Sequence, residues 1–173
     1  MPPWAGCRFT GHDDMEWVPP LTRQQEWQPL YRYHPESQVW VVMAPSVYLG
    51  LTRAVWTGHG ERFDDDSWKA TVEELARSPK REQIMSRLRS GTPLDAAYLD
   101  VDPVTLAPIA QEGAHRGAVA LEVGLTVMPV IVYARRALGG HEAVTPAFRR
   151  FVQSLGREVA AMSMGETDRE VGW

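Results

Sequence analysis

Apolar positions along the middle of the chain come in two rhythms. Residues 38–43 (Gln-Val-Trp-Val-Val-Met) and 128–133 (Met-Pro-Val-Ile-Val-Tyr) are short runs rich in β-branched side chains, and they predict strands. Residues 98–101 predict a third strand, the Asp-Pro-Val-Thr run 102–105 a turn with proline at its favoured second position, and residues 106–111 the returning arm of a hairpin. Elsewhere the spacing is helical. Ala44, Pro45 and Ser46 open a short helix through Val47, Tyr48 and Leu51, and residues 67–76 place Trp68, Val72, Leu75 and Ala76 on one side. Ser78 and Pro79 supply an N-cap and a first-position proline to a helix with the stripe Ile84, Met85 and Leu88, which Gly91 ends. Thr145 and Pro146 start another, in which Phe148, Phe151, Val152, Leu155, Val159 and Met162 recur at helical spacing. The pattern predicts an α/β domain: a small mixed sheet with flanking helices.

Three segments follow from this reading: an irregular arm 1–38, a core 39–133, and a C-terminal amphipathic helix and tail 134–173. The arm is unusual, because seven of the thirteen prolines fall in the first 46 residues and six of the seven tryptophans in the first 68. Prolines oppose long helices, while aromatics oppose plain disorder, so the arm reads as irregular chain laid over a surface. Its tryptophans either patch the core or offer a surface for a protein partner or for self-association.

Composition narrows the function. A chain of 173 residues, 44% hydrophobic, is one domain's worth with enough apolar surface for a core. A net charge of −4 opposes broad, sequence-independent DNA binding, which needs a basic face. The single cysteine, Cys7, excludes an internal disulfide and suits a reducing compartment. No apolar run has the length of a membrane span and no signal peptide is evident, so the expectation is a cytoplasmic protein without membrane association.

The densest chemistry lies at Gln111-Glu112-Gly113-Ala114-His115-Arg116, followed by a short helix that Gly124 closes. It reads as the end of a strand, a glycine turn and a helix start. The first-turn amides of Arg116, Gly117 and Ala118 would be free donors at the positive end of a helix dipole, which makes an anion site with Gly113 allowing close approach. Arg116 adds a planar fork suited to phosphate, and His115 can donate to an oxygen or shuttle a proton. Glu112 repels phosphate unless a metal or a hydroxyl lies between them, and is therefore a candidate base or Mg²⁺ ligand. Asp95 and Asp100 are further contributors from the preceding strand. The plainer alternative is a surface turn in which Arg116 pairs with Glu112.

Other features point less sharply. Arg77, Lys80, Arg81, Arg87 and Arg89 make the best basic patch for DNA or polyphosphate, with a solvated helix face as the alternative. His59 with Asp64, Asp65 and Asp66 could hold a divalent ion, although acids just before a helix more often cap it. His12, Asp13 and Asp14 are too few for a metal site.

Taken in order, residues 91–102 (Gly-Thr-Pro-Leu-Asp-Ala-Ala-Tyr-Leu-Asp-Val-Asp), the Gln-Glu-Gly-Ala-His-Arg box, and residues 124–133 (Gly-Leu-Thr-Val-Met-Pro-Val-Ile-Val-Tyr) resemble the core of the ParB/sulfiredoxin superfamily. Residues 39–52 are similar to the opening strand and first helix of its single-domain, phage- or plasmid-borne members. The resemblance implies a ParB/sulfiredoxin-like fold that binds the phosphates of ATP or CTP with Mg²⁺, and an NTPase or phosphotransferase activity. It implies a phosphate cradle of Gly113, Ala114, His115, Arg116, Gly117 and Ala118, with Glu112, His115 and Arg116 catalytic and Glu112 on the metal. Ala114 stands where sulfiredoxins have a cysteine, so sulfinic-acid reduction is not expected. His115-Arg116 replaces the Arg-Arg of partition proteins, and too little chain follows Tyr133 for their helix-turn-helix domain. Two alternatives remain: a metal-dependent DNase of the same superfamily, and a non-catalytic interaction protein of a phage or plasmid that binds a host or virion partner.

Overall fold

The computed structural model describes residues 17–18, 35–57, 72–90 and 94–159. In chain order these form β1 (Trp17–Val18), β2 (Gln38–Met43), α1 (Pro45–Thr57), a helical turn at 72–75, α2 (Pro79–Arg89), β3 (Leu94–Asp95), β4 (Ala97–Val101), β5 (Pro108–Glu112), α3 (Ala114–Glu122), β6 (Met128–Ala134), α4 (Pro146–Leu155) and β7 (Arg157–Glu158). Five strands make one mixed sheet in the order β5-β4-β6-β2-β7, and β1 and β3 pair separately. Only the β4–β6 pair within the larger sheet is parallel, and the chain crosses between those two strands through β5 and α3. This crossover hangs the box at the end of the edge strand β5, where α3 starts back across the sheet.

Register decides which side chains share a face. Val39 pairs with Val132, Val41 with Val130 and Met43 with Met128, while Leu99 also lies opposite Val132. This row packs against Tyr48 and Leu51 of α1, Met85 and Leu88 of α2, Val119 of α3, and Phe148 and Val152 of α4 in one cluster. All four described helices therefore bury their apolar stripes on the same side, so the described residues form a helix layer on a sheet layer. The alternate row, Trp40, Tyr98, Ile131 and Tyr133, makes a second cluster on the other face, with Tyr98 and Tyr133 edge to face at 6.2 Å between ring centroids. Burial on both faces is why β2 and β6 read as continuous apolar runs rather than alternating ones.

The caps expected from sequence are in place on two helices. The Ser78 side chain accepts from Lys80 N at 3.3 Å and that of Thr145 from Phe148 N at 3.1 Å, each followed by proline in the first turn. In the hairpin, Asp102 binds both sides of its turn. One carboxylate oxygen accepts from Val104 N (2.8 Å) and Thr105 N (3.1 Å), the other from Ala137 N (3.1 Å) in the loop after β6. These backbone donors hold the Asp102 carboxyl below its ordinary pKa.

Several boundaries differ from the sequence reading. The last helix ends at Leu155 instead of running on through Val159, because Gly156 brings the backbone against β2: a Cβ there would lie 2.2 Å from the Val42 carbonyl oxygen. Val159 leaves the helical stripe, donates its N–H to Trp40 O at 2.9 Å and packs on the second cluster. The C-terminal segment thereby adds a strand to the core sheet. The returning hairpin strand starts at Pro108 rather than Leu106, since Leu106 takes a positive φ of 58° and the ladder shifts register at Asp100/Val101. The strand at 128–133 continues to Ala134, and Arg135 then bridges to His141. Most of the tryptophan-rich arm, residues 12–14, His59, the acid run 64–66 and Trp173 lie outside the described residues. Among the described residues no helix is long and apolar enough to cross a membrane.

Candidate functional site

Gly113 places the box. Its φ of 127° is one that L side chains rarely adopt, and a Cβ built there would lie 2.6 Å from the Cβ of Ala97 on β4. The glycine is thus required by the sheet beneath the turn, in addition to any ligand above it. It also leaves α3 without the side-chain cap that Ser78 and Thr145 give their helices. The amide of Gly117 is already satisfied by Gly113 O at 2.9 Å. The free first-turn donors are those of Ala114, His115 and Arg116, two residues earlier than the sequence reading places them.

Arg116 differs most from expectation. The sequence offers it as a fork for phosphate, yet it is only 7% exposed. One guanidinium nitrogen, Nη2, donates over long distances to the carbonyl oxygens of Glu112 (3.3 Å) and Ala96 (3.5 Å). Nε is buried without a hydrogen-bond partner. Nor does Arg116 form the surface pair with the Glu112 carboxylate that the plainer alternative supposed; among the described residues it makes no ion pair. The cation instead underpins the turn by gripping the two strand ends that meet there. Tyr48 lies on the same side: its buried hydroxyl is 3.3 Å from Tyr98 O and 3.5 Å from Gln111 Oε1. Burial pushes the Tyr48 pKa up, against the pull of the Arg116 charge.

The pleat separates neighbours in the box. Gln111 lies opposite Leu99 on the helix-covered face, whereas Glu112 lies opposite Tyr98 on the other. Asp100, also proposed as a contributor, pairs with Ala110, two positions further along, where Arg135 Nη1 donates to its buried carboxylate at 2.7 Å. Asp95 belongs to the short β3, whose side chains are not described. Among the described residues no three His, Cys, Asp or Glu side chains gather as a metal-binding group. A single carboxylate such as that of Glu112 still fits the habit of Mg²⁺, which takes one or two carboxylates and completes its shell with substrate phosphates and water.

His115 points elsewhere. With Ala118, Val119 and Glu122 it forms one face of α3, and this face lines a cleft of about 440 Å³ closed by Val72, Leu75 and Ala76 and by Arg81 of α2. Desolvation in this wall, and then the Lys80 charge, hold the His115 pKa below its usual value, so the ring is neutral at pH 7. Arg81 was expected in a basic patch. It donates to Glu122 through Nε at 2.9 Å and through Nη2, and also to Glu82. Arg77, Lys80 and Arg89 remain exposed, so the patch is smaller than its sequence suggests. Glu122 and Tyr48 were not singled out from sequence as site residues. For Glu122 the signal was its spacing of seven from His115, and for Tyr48 a hydroxyl on an otherwise apolar helix face. No protein-family model, curated protein or solved structure matches this chain.

Proposed function

We propose that the protein binds a nucleotide, ATP or CTP, with its phosphates at the N-terminus of α3, and hydrolyses it or transfers its terminal phosphoryl group. The observation that carries this reading is the uncapped start of α3, whose first-turn His115 also walls the cleft of about 440 Å³, a size within the range of small-ligand sites. The partnerless Nε of Arg116 adds positive charge beneath the same turn. In further support, the chain runs strand, helix, hairpin, box, helix and strand in the order implied by the resemblance to ParB/sulfiredoxin proteins.

In this reading the first-turn amides and Arg116 stabilise charge on the transferring phosphoryl group. At the strand end, where Glu112 is near enough for its charge to act on His115, Glu112 takes the proton of the attacking water or acceptor hydroxyl, and neutral His115 donates to a phosphate oxygen. Mg²⁺, held by Glu112 and the phosphates, would neutralise charge between them. A thermal-shift series with ATP, ADP, CTP and GTP, with and without Mg²⁺, tests the reading: a ligand at a hundred times its Kd stabilises by about 2.7 kcal/mol. No shift with any of them would remove it.

One observation favours the interaction-protein reading instead. Val104 is 66% exposed and Leu138 fully exposed, on two turns that Asp102 ties together. Self-association that depends on concentration and is lost in a Val104→Lys/Leu138→Lys variant would support that reading.

A further inference from the structure

The cleft has two chemically different ends. His115 and Glu122 lie seven residues apart on α3, so the face between them runs about 10 Å along the helix. His115 stands at the end nearest the helix N-terminus. Ala118 and Val119 follow it, and Val72, Leu75 and Ala76 form the facing wall, all of them apolar. At the far end stands the Arg81–Glu122 pair, side on, with side-chain exposures of 25% and 42%, so a ligand in the cleft can reach it. Its charges cancel. The far end therefore suits a neutral ring with polar edges and not a second anion.

We propose that the Arg81–Glu122 pair reads the base of a nucleotide lying along this cleft, and selects bases with an amino group over those with an oxo group at the same place. The inference rests on the phosphate reading of the α3 N-terminus, which anchors the other end of the ligand. The aliphatic walls take the faces of a flat ring. A guanidinium only donates and a carboxylate only accepts. Side by side they complement an edge with an amino donor next to a ring-nitrogen acceptor, as in adenine and cytosine. Guanine and uracil carry a carbonyl where the amino group would be, which sets oxygen lone pairs against the Glu122 carboxylate. The phosphate anchor prevents the base from turning over to escape that clash. Discrimination of this kind is strong because a mismatched base leaves a desolvated polar group unpaired.

The test is calorimetric titration of ATP, CTP, GTP, UTP, inorganic tripolyphosphate, adenosine and cytidine into the full chain and two variants. In the wild type, ATP and CTP should bind about tenfold or more tighter than GTP, UTP and tripolyphosphate. The double variant Arg81→Glu/Glu122→Arg keeps opposite charges facing but exchanges donor and acceptor. It should shift the preference toward GTP and UTP while leaving tripolyphosphate unchanged. Glu122→Gln, nearly isosteric, should erode the preference without reversing it, and it serves if the double variant fails to fold. Equal binding of all four nucleotides, or a preference that neither variant alters, would overturn the base-reading role. Tripolyphosphate binding as tightly as ATP would overturn it too, yet leave the phosphate site standing. Adenosine and cytidine binding with Glu122 dependence, without tripolyphosphate binding, would keep the subsite and overturn the phosphate reading. No binding of any probe would overturn both.

Discussion

Gly113 and Ala97 are packed so closely that a methyl group on the glycine would lie 2.6 Å from the alanine Cβ, well inside contact distance. The box turn is thereby pressed onto β4, and its backbone is held at a φ of 127°. Gly113→Ala should cost about 2 kcal/mol or more, from strain at this φ together with overpacking, as measured by urea denaturation. A loss under about half a kcal/mol would mean that the turn can lift away from the sheet.

Arg116 is expected to matter in the absence of any ligand. Arg116→Ala removes the donor for the Glu112 and Ala96 carbonyls and leaves a void beneath the turn, so the unliganded protein should lose about 1–3 kcal/mol. Arg116→Lys keeps a charge and one donor and should recover part of the loss. An unchanged melting temperature for Arg116→Ala would show that the guanidinium is held for a ligand alone.

His115 should confer a dependence on mildly acid pH. Its folded pKa lies below its unfolded value, so between the two the unfolded chain binds more protons and stability falls as pH falls. The window opens near pH 6.5, the ordinary imidazole value, and extends downward. Urea midpoints measured from about pH 7.5 to pH 5 should decline less steeply in His115→Gln than in the wild type. Parallel curves would place the titration elsewhere.

Asp102 acts in a lower window. Its depressed pKa means that the carboxylate contributes stability above its unfolded pKa and loses it as pH falls through the folded one, below about pH 4. Asp102→Ala strands the amides of Val104, Thr105 and Ala137 and should cost about 2 kcal/mol or more at neutral pH. Asp102→Asn, which keeps one acceptor oxygen, should fall between. An Asp102→Ala protein as stable as the wild type at pH 7 would show that water replaces the carboxylate.

Much of the fold was legible where local chemistry and tertiary structure agree. The β-branched runs of β2 and β6 are strands under any packing, and Ser78-Pro79 and Thr145-Pro146 announce the starts of α2 and α4. β7 escaped notice because Arg157-Glu158 has no apolar period; it exists only through pairing with β2. The candidate site was legible as a stretch of chain and not as a geometry. That Glu112 and Gln111 part to opposite faces depends on register with β4. The burial of Arg116 contradicts the usual exposure of arginine, and of the two carbonyls it reaches, that of Ala96 is brought near only by the fold. Glu122 and Arg81 meet across 41 positions of chain, beyond the reach of any local pattern.

The pairing of β2 has a consequence during synthesis. Both neighbours of this strand in the sheet come later in the chain: Gln38 meets Tyr133, 95 positions on, and Val41 meets Glu158 later still. At about 5–20 residues per second, a ribosome takes roughly 5 to 20 s to supply the first of them. Throughout that interval the run Gln-Val-Trp-Val-Val-Met has emerged with neither edge covered by its native partner, a template to which other nascent chains can add. Chains halted before Met128 cannot complete the sheet at all, so this one segment stays open to such pairing until β6 has been made.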